Sequence, residues 1–159
     1  MKFYEITLNS KNIFSGRLIK LRLDEVMLPN GRKSTREIVE HPGAIAVVAV
    51  NNDNDIMMVR QYRKPIEKEL LEIPAGKLEK GESKENAAIR ETAEELLIAT
   101  ESIEVIGASD ILVTPFNTII YPYIGTVKDY KGTFNNEVKE VFTVPLSFFL
   151  SNDPFCHYI

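Results

Sequence analysis

The segment from Gly76 to Ile98, GKLEKGESKENAAIRETAEELLI, constrains the fold more than any other part of the chain. In its second half, apolar residues recur at the spacing of one face of an α-helix. Ser83 comes just before this pattern, and serine is a favoured helix N-cap. We therefore predict a helix from Ser83 to Leu97 that packs one face on a core. The residues expected on that face are Ala88, Ile89, Ala93, Leu96 and Leu97.

Three glutamates, Glu91, Glu94 and Glu95, share one side of this predicted helix. Helical residues advance by about 100° each, so Glu91 and Glu95 lie about 40° apart. Like charges one turn apart destabilise a helix by roughly 0.2–0.5 kcal/mol per pair. Two interpretations are open. The cluster is either a solvated acidic face, the more common case, or a set of hard oxygen ligands for a divalent cation.

Composition excludes several classes of function. A length of 159 residues suits one domain. The net charge of −4 and the scattered lysines and arginines argue against a nucleic-acid partner. The single cysteine, Cys156, excludes an internal disulfide or a cysteine-based zinc site and indicates a cytoplasmic location. No apolar run approaches the roughly 20 residues that cross a bilayer, so no membrane partner is expected.

Strand patterns occupy most of the remaining chain. Arg17–Leu28 and residues 36–39 flank Pro29-Asn30-Gly31, which predicts a hairpin closed by an Asn-Gly turn. The run AIAVVAV, Ala44–Val50, is typical of a buried strand. Many strands with a mid-chain helix indicate an α+β sandwich. The other predicted elements are strands at residues 56–62, 69–73, 103–106, 117–127 and 140–144 and a short helix at 145–150.

The charged residues of the first segment resemble the Nudix box. Gly76 is followed after five residues by Glu82, and after seven more by Arg90-Glu91, two residues, and Glu94-Glu95. A motif of this kind is informative only in its structural context, here a strand that leads through Pro74-Ala75 into a helix. The resemblance implies a Nudix-type α/β/α sandwich with a mixed sheet, preceded by an N-terminal β-hairpin. It also implies one domain over residues 1–159, with N-terminal strands in 1–40 and a core in 41–159 that we expect to be truncated at its C-terminus.

The resemblance also implies roles for the box residues. Glu91 and Glu95 would be ligands of Mg²⁺ or Mn²⁺, and Glu94 and the backbone carbonyl of Ala75 or Gly76 often join them. Glu82 would pair with Arg90 and so orient Glu91. The general base would be one of the helix glutamates or a carboxylate of a later loop, Glu137 or Glu140. For Glu137, a solvated loop carboxylate is an equally open interpretation.

Two positions depart from the Nudix pattern. Thr92 stands where the box has an aliphatic residue, and Leu97 stands where it has a second glycine. That glycine usually ends the helix in a left-handed conformation, which leucine adopts at a cost of about 1–2 kcal/mol. Either the helix continues through Ile98 or the turn at Leu97 is strained.

Upstream of the box, the chain resembles ADP-ribose pyrophosphatases within the Nudix family. The residues that carry this likeness are HPGAIAVVAV, VRQYRKP and LLEIPAGKLEKGE. The resemblance implies hydrolysis of ADP-ribose to AMP and ribose 5-phosphate by a homodimer that exchanges its N-terminal strands. Arg60, Arg63 and Glu72 would hold substrate or brace the site. For Phe116 two interpretations are open, stacking on a base or, the more common case, a place in the core. For the arginines, edge-strand solubility charges are the alternative.

Downstream of the box, the chain resembles coenzyme A pyrophosphatases. This likeness depends on LVTPFNTIIYPYIG and EVFTVPLSFFL. Three functions therefore remain open: an ADP-ribose pyrophosphatase, a coenzyme A pyrophosphatase, and a catalytically silent Nudix module that binds a nucleotide.

Overall fold

The computed structural model describes residues 4–114, 118–128, 130 and 138–150. These residues form two sheets and two α-helices. The strands are β1 (Ile6–Ser15), β2 (Lys20–Met27), β3 (Lys33–Glu40), β4 (Ala44–Val50), β5 (Asp55–Arg63), β6 (Lys68–Glu72), β7 (Ala75–Lys77), β8 (Ile103–Ala108), β9 (Leu112–Val113), β10 (Ile119–Val127) and β11 (Val138–Pro145). The helices are α1 (Lys84–Leu96) and α2 (Leu146–Leu150), with short 3₁₀ turns at Lys64–Ile66 and Thr100–Ser102. Neither α-helix is long and apolar enough to span a membrane.

An N-terminal antiparallel sheet has the order β1-β2-β3. The predicted hairpin is confirmed as β2 and β3, which pair from Lys20 with Glu40 to Met27 with Lys33. Gly31 closes the turn with a φ of 80° and donates its N–H to the carbonyl of Leu28 at 2.9 Å. Sequence reasoning missed β1, which pairs with β2 and makes the hairpin a three-stranded sheet.

The second sheet has the order β11-β5-β4-β10-β8, with β6 and β7 paired to β5 and β4, and β9 paired to β10. Strands β4 and β10 run parallel, from Ala44 beside Ile120 to Val50 beside Thr126. The other neighbours are antiparallel, so the sheet is mixed. This confirms the predicted α+β class with a mixed sheet behind an N-terminal hairpin.

The core lies between this mixed sheet and α1. Ile45, Val47 and Ala49 alternate inward along β4, as expected when one face of a strand is buried. Apolar burial of this kind stabilises the fold by roughly 25 cal/mol per Å². The residues that complete the buried cluster are Met57, Val59, Ala87, Ala88, Ala93, Leu96, Ile103 and Val127.

The long helix begins and ends almost where the sequence predicts. The Ser83 side chain accepts a hydrogen bond from the backbone N–H of Asn86 at 3.1 Å, which is the N-cap contact expected of serine. At the other end, Leu97 adopts the left-handed conformation with φ 54° and ψ 47°. The N–H of Ile98 then donates to the carbonyl of Ala93 at 3.1 Å. Of the two alternatives open at Leu97, the strained turn is therefore the one the chain adopts.

Candidate active site

The acidic face of α1 lies against the short strand β7, where the Glu91 carboxylate packs against Gly76. A Cβ atom placed on Gly76 would come within 1.8 Å of Oε2 and 2.4 Å of Oε1 of Glu91. The Glu91 residue is only 8% exposed, so its carboxylate occupies the space that a side chain at position 76 would need. The glycine is required here by close packing.

Glu95, one turn later on α1, is held by two neutral donors. The backbone N–H of Ala75 donates to Oε2 at 3.1 Å, and the Gln61 side-chain amide donates to Oε1 at 2.6 Å. Burial raises the pKa of Glu95 to about 7, although both hydrogen bonds act in the opposite direction. The negative charge of Glu91 also raises this pKa, as expected of a neighbouring carboxylate.

Arg90 links the loop before the helix to the acidic cluster. Its Nε and Nη2 donate to the two oxygens of Glu82 at 2.8 and 2.9 Å, a bidentate pair that lowers the pKa of Glu82. Its Nη1 donates to Oε1 of Glu91 at 2.7 Å, and Nη2 also reaches the carbonyl of Lys77 at 3.1 Å. The predicted Glu82–Arg90 pair is therefore present, and it holds Glu91 in place.

Glu94 lies apart from the other two glutamates. Its side chain is 62% exposed, and its closest charged contact is a long one, 3.4 Å to Nη1 of Arg90. Glu91 and Glu95 thus meet at β7, whereas Glu94 extends toward solvent.

The donor set suits a hard divalent cation. In the described part of the chain, no group of three or more acidic, histidine or cysteine side chains already converges on one point. Two carboxylates do lie beside β7, and Mg²⁺ is commonly held by one or two carboxylates together with water and substrate phosphates. A cation between Glu91 and Glu95 would also relieve their mutual repulsion.

Three of the predicted substrate-binding residues, Arg60, Arg63 and Glu72, take part in two ion pairs. Nε of Arg63 donates to Oε1 of Glu72 at 2.8 Å, and a second contact makes this pair bidentate. Arg60 pairs with Glu140 across β5 and β11 at 3.1 Å. Since side chains alternate along β5 and Gln61 faces α1, Arg60 and Glu140 project from the opposite face. The structure therefore does not bring these two residues to the Glu91–Glu95 pair.

Two predicted site residues, Phe116 and Glu137, lie outside the described residues. Sequence reasoning missed Gln61, which is 9% exposed and donates a hydrogen bond to Glu95. The sequence does carry one indication of this role: Gln61 is a polar residue on the same face of β5 as the buried Val59.

Family models match nearly the whole described chain. The NUDIX domain matches residues 40–153, and the nucleoside diphosphate sugar hydrolase N-terminal domain matches residues 5–39. A solved structure described as an ADP compounds hydrolase has a TM-score of 0.65 and 21% identity, and the match covers 92% of this chain and 80% of that one. At that identity, the likeness supports the fold alone.

Curated relatives give stronger sequence matches. A methanol dehydrogenase activator from Bacillus methanolicus is 57% identical over 102 residues, 64% of this chain and 55% of the relative. ADP-ribose pyrophosphatases from Bacillus subtilis and Mycobacterium tuberculosis are 56% and 40% identical over 57% and 63% of this chain, and 49% of each relative. The chain spans about half the length of these relatives. With a NUDIX domain matched over residues 40–153 and the box glutamates gathered at β7, the chain belongs to the Nudix family.

Proposed function

We propose that this protein hydrolyses the pyrophosphate bond of a nucleoside diphosphate linked to another group, with ADP-ribose as the substrate and AMP and ribose 5-phosphate as the products. The observation that carries this proposal is the meeting of Glu91 and Glu95 at Gly76, with Glu82 and Arg90 bracing the pair. The ADP-ribose pyrophosphatases among the relatives, and the N-terminal match to nucleoside diphosphate sugar hydrolases, support the substrate class.

Glu91 and Glu95 would hold Mg²⁺ or Mn²⁺, with Glu94 and the Ala75 carbonyl as further ligands. When bound, such an ion supplies positive charge to the phosphates and lowers the pKa of water. The chain's own contribution is to fix both carboxylates on a rigid helix before substrate arrives. Arg90 holds Glu91 from one side, and the Ala75 N–H holds Glu95 from the other.

In the proposed reaction, water adds to one phosphorus and the bridging P–O bond breaks. The proton lost by water passes to a carboxylate, and the departing phosphate takes the electron pair of the broken bond. Glu94 is the helix candidate for the proton transfer because its side chain is exposed and makes only a long contact to Arg90 among the described residues, and Glu137 is the loop candidate. Glu140 is less suited because Arg60 engages it on the opposite face of the sheet.

The decisive experiment offers ADP-ribose with Mg²⁺ or Mn²⁺ and identifies the products. We expect AMP and ribose 5-phosphate, and we expect Glu95→Gln to lower turnover by about 100-fold or more while the fold is retained. Glu85→Gln, an exposed position in the first turn of the same helix, is the matched control and should keep full activity. Equal activity of wild type and Glu95→Gln would show that the site is wrongly assigned.

The same assay separates the alternative functions. Coenzyme A is included as a substrate, and release of 3',5'-ADP from it would support the C-terminal likeness to coenzyme A pyrophosphatases, which stays a prediction. Binding of ADP-ribose with no turnover above the Glu95→Gln background would indicate a silent binding module. The cytoplasmic location and the single-domain organisation also stay predictions.

A homodimer built on the N-terminal sheet is part of the proposal. All ten residues of β1 are exposed, including Ile6, Leu8, Ile13 and Phe14. Apolar side chains grouped on such a surface favour coverage by another chain. Sedimentation velocity across a range of protein concentrations tests this, and a monomer at every concentration would refute it.

A further inference from the structure

Gln61 and Glu95 form the shortest hydrogen bond between the mixed sheet and the acidic face of α1. The amide Nε2 of Gln61 lies 2.6 Å from Oε1 of Glu95. We propose that Gln61 is a positioning residue that holds the Glu95 carboxylate beside Glu91, so that the pair can bind a divalent cation. This inference rests on the function proposed above.

The place of Gln61 in the sheet makes the contact specific. Gln61 sits on an inner part of β5, with Leu70 of β6 and Val138 of β11 as its neighbours in register. It is 9% exposed, and a buried amide is costly unless it is hydrogen-bonded. Its amide group reaches Glu95, so the sheet and the helix are joined at the carboxylate by this bond.

The chemistry of the two donors to Glu95 is suited to a cation site. An amide and a backbone N–H fix both carboxylate oxygens without neutralising the negative charge. The neighbouring cation Arg63 is engaged by both oxygens of Glu72, and this pairing reduces its competition for Glu95. Outer partners that orient a ligating carboxylate typically change metal affinity by 10–100-fold when they are removed.

The test measures Mn²⁺ binding in the absence of substrate. Free Mn²⁺ is quantified by electron paramagnetic resonance for wild type and for Gln61→Met, which keeps the length of the side chain and removes the donor. We expect the Mn²⁺ affinity of Gln61→Met to be lower by about 10–100-fold. The control is Met57→Leu, a fully buried position on the same strand and face, which should keep wild-type affinity.

A double-mutant cycle shows whether Gln61 acts through Glu95. In a Glu95→Gln background, Gln61→Met should change Mn²⁺ affinity by less than about twofold, since the residue it positions is already altered. A full additional loss in that background would show that the effect is general destabilisation. Should Gln61→Met fail to fold, Gln61→Asn retains the amide but withdraws it by one methylene, and it should weaken Mn²⁺ binding in the same direction.

The possible failures are distinguishable. Wild type that neither binds Mn²⁺ nor hydrolyses ADP-ribose would overturn the proposed function, and this inference with it. Wild type that binds Mn²⁺ while Gln61→Met and Gln61→Asn bind it equally well would overturn the role of Gln61 alone.

Discussion

The two sheets of this protein differ greatly in how far their residues are buried. In the N-terminal sheet, β1 is exposed along its whole length, and only Asp24 and Val26 of the three strands are buried. In the mixed sheet, β4 alone buries three residues beneath α1. The difference is the helix, because an antiparallel ladder gains most of its stability from the layer that covers one face.

The buried residues of the N-terminal sheet also differ in chemistry. Asp24 accepts a hydrogen bond from the Ser10 hydroxyl at 2.5 Å and another from Nε of Arg22 at 3.2 Å. The Ser10 contact lowers the pKa of Asp24. The N-terminal sheet is thus joined locally by polar side chains, whereas the mixed sheet and α1 are joined by an apolar core and by the carboxylates at β7.

The largest expected effect concerns the contact of helix and sheet at Gly76. Gly76→Ala would place a methyl group in the position of the Glu91 carboxylate, which must then move. Because the end of a glutamate side chain is flexible, we expect a small change in melting temperature but a loss of ADP-ribose turnover of about 100-fold, as misplaced catalytic groups cause. Gly107→Ala, on β8 with open space around it, is the control that should stay active. An active Gly76→Ala enzyme would contradict the assignment of Glu91.

A matched pair of leucines tests the burial contrast directly. Leu96 is fully buried on α1, and Leu8 on β1 is 44% exposed. Leu96→Ala should lower the free energy of unfolding by about 2–5 kcal/mol, and Leu8→Ala by less than about 1 kcal/mol in dilute protein. Urea unfolding measures both changes. Similar losses of unfolding free energy for both variants at low protein concentration would contradict the difference in burial between the two sheets. A loss for Leu8→Ala that grows with protein concentration would support the proposed dimer.

Leu97, at the end of α1, has a strained left-handed backbone conformation. Leu97→Gly and Leu97→Ala both remove the side chain, so the difference between them isolates the left-handed backbone. We expect the glycine variant to be more stable by about 1 kcal/mol. At Glu85, within the helix, the same pair should show the opposite order, since alanine is the better helix former. Thermal unfolding distinguishes the cases, and a more stable Leu97→Ala would show that the turn is unstrained.

The smallest expected effect concerns a buried hydroxyl group in the core. Thr92 is fully buried on α1, and its hydroxyl has no hydrogen-bond partner among the described residues. Thr92→Val replaces this hydroxyl with a methyl group of similar size and should raise the free energy of unfolding by about 1 kcal/mol. Thr92→Ser keeps the hydroxyl, loses the methyl group and should be less stable than wild type. A destabilised Thr92→Val would indicate a partner for the hydroxyl.

Local patterns predicted the parts of the fold whose causes are local. The helix was expected from Ser83 to Leu97 and runs from Lys84 to Leu96, since caps and apolar periodicity act within a few residues. Strand β1, ITLNSKNIFS, was missed because its apolar and polar residues alternate only from Ile6 to Asn9, before the polar run from Ser10 to Asn12 interrupts the pattern. Its pairing depends on β2, a separate segment of the chain, and not on its own local pattern.

The candidate site likewise contains contacts that the sequence predicts and contacts that it does not. The resemblance to the Nudix box identified Glu82 and Arg90 as a pair, and the structure places them in contact. The Gln61–Glu95 bond joins residues 34 positions apart, and nothing in the local pattern of either segment indicates it. The placement of Arg60 and Glu140 on the opposite face likewise depends on the register of β5 with β11, a nonlocal property.

By itself, the sequence determined that three glutamates lie on one side of a helix, because the helical period is set by the backbone within a single turn. Only the tertiary structure decided that Glu91 and Glu95 face β7 while Glu94 faces solvent. That choice depends on how α1 is rotated when its apolar residues pack on the mixed sheet, and this rotation results from contacts between distant parts of the chain.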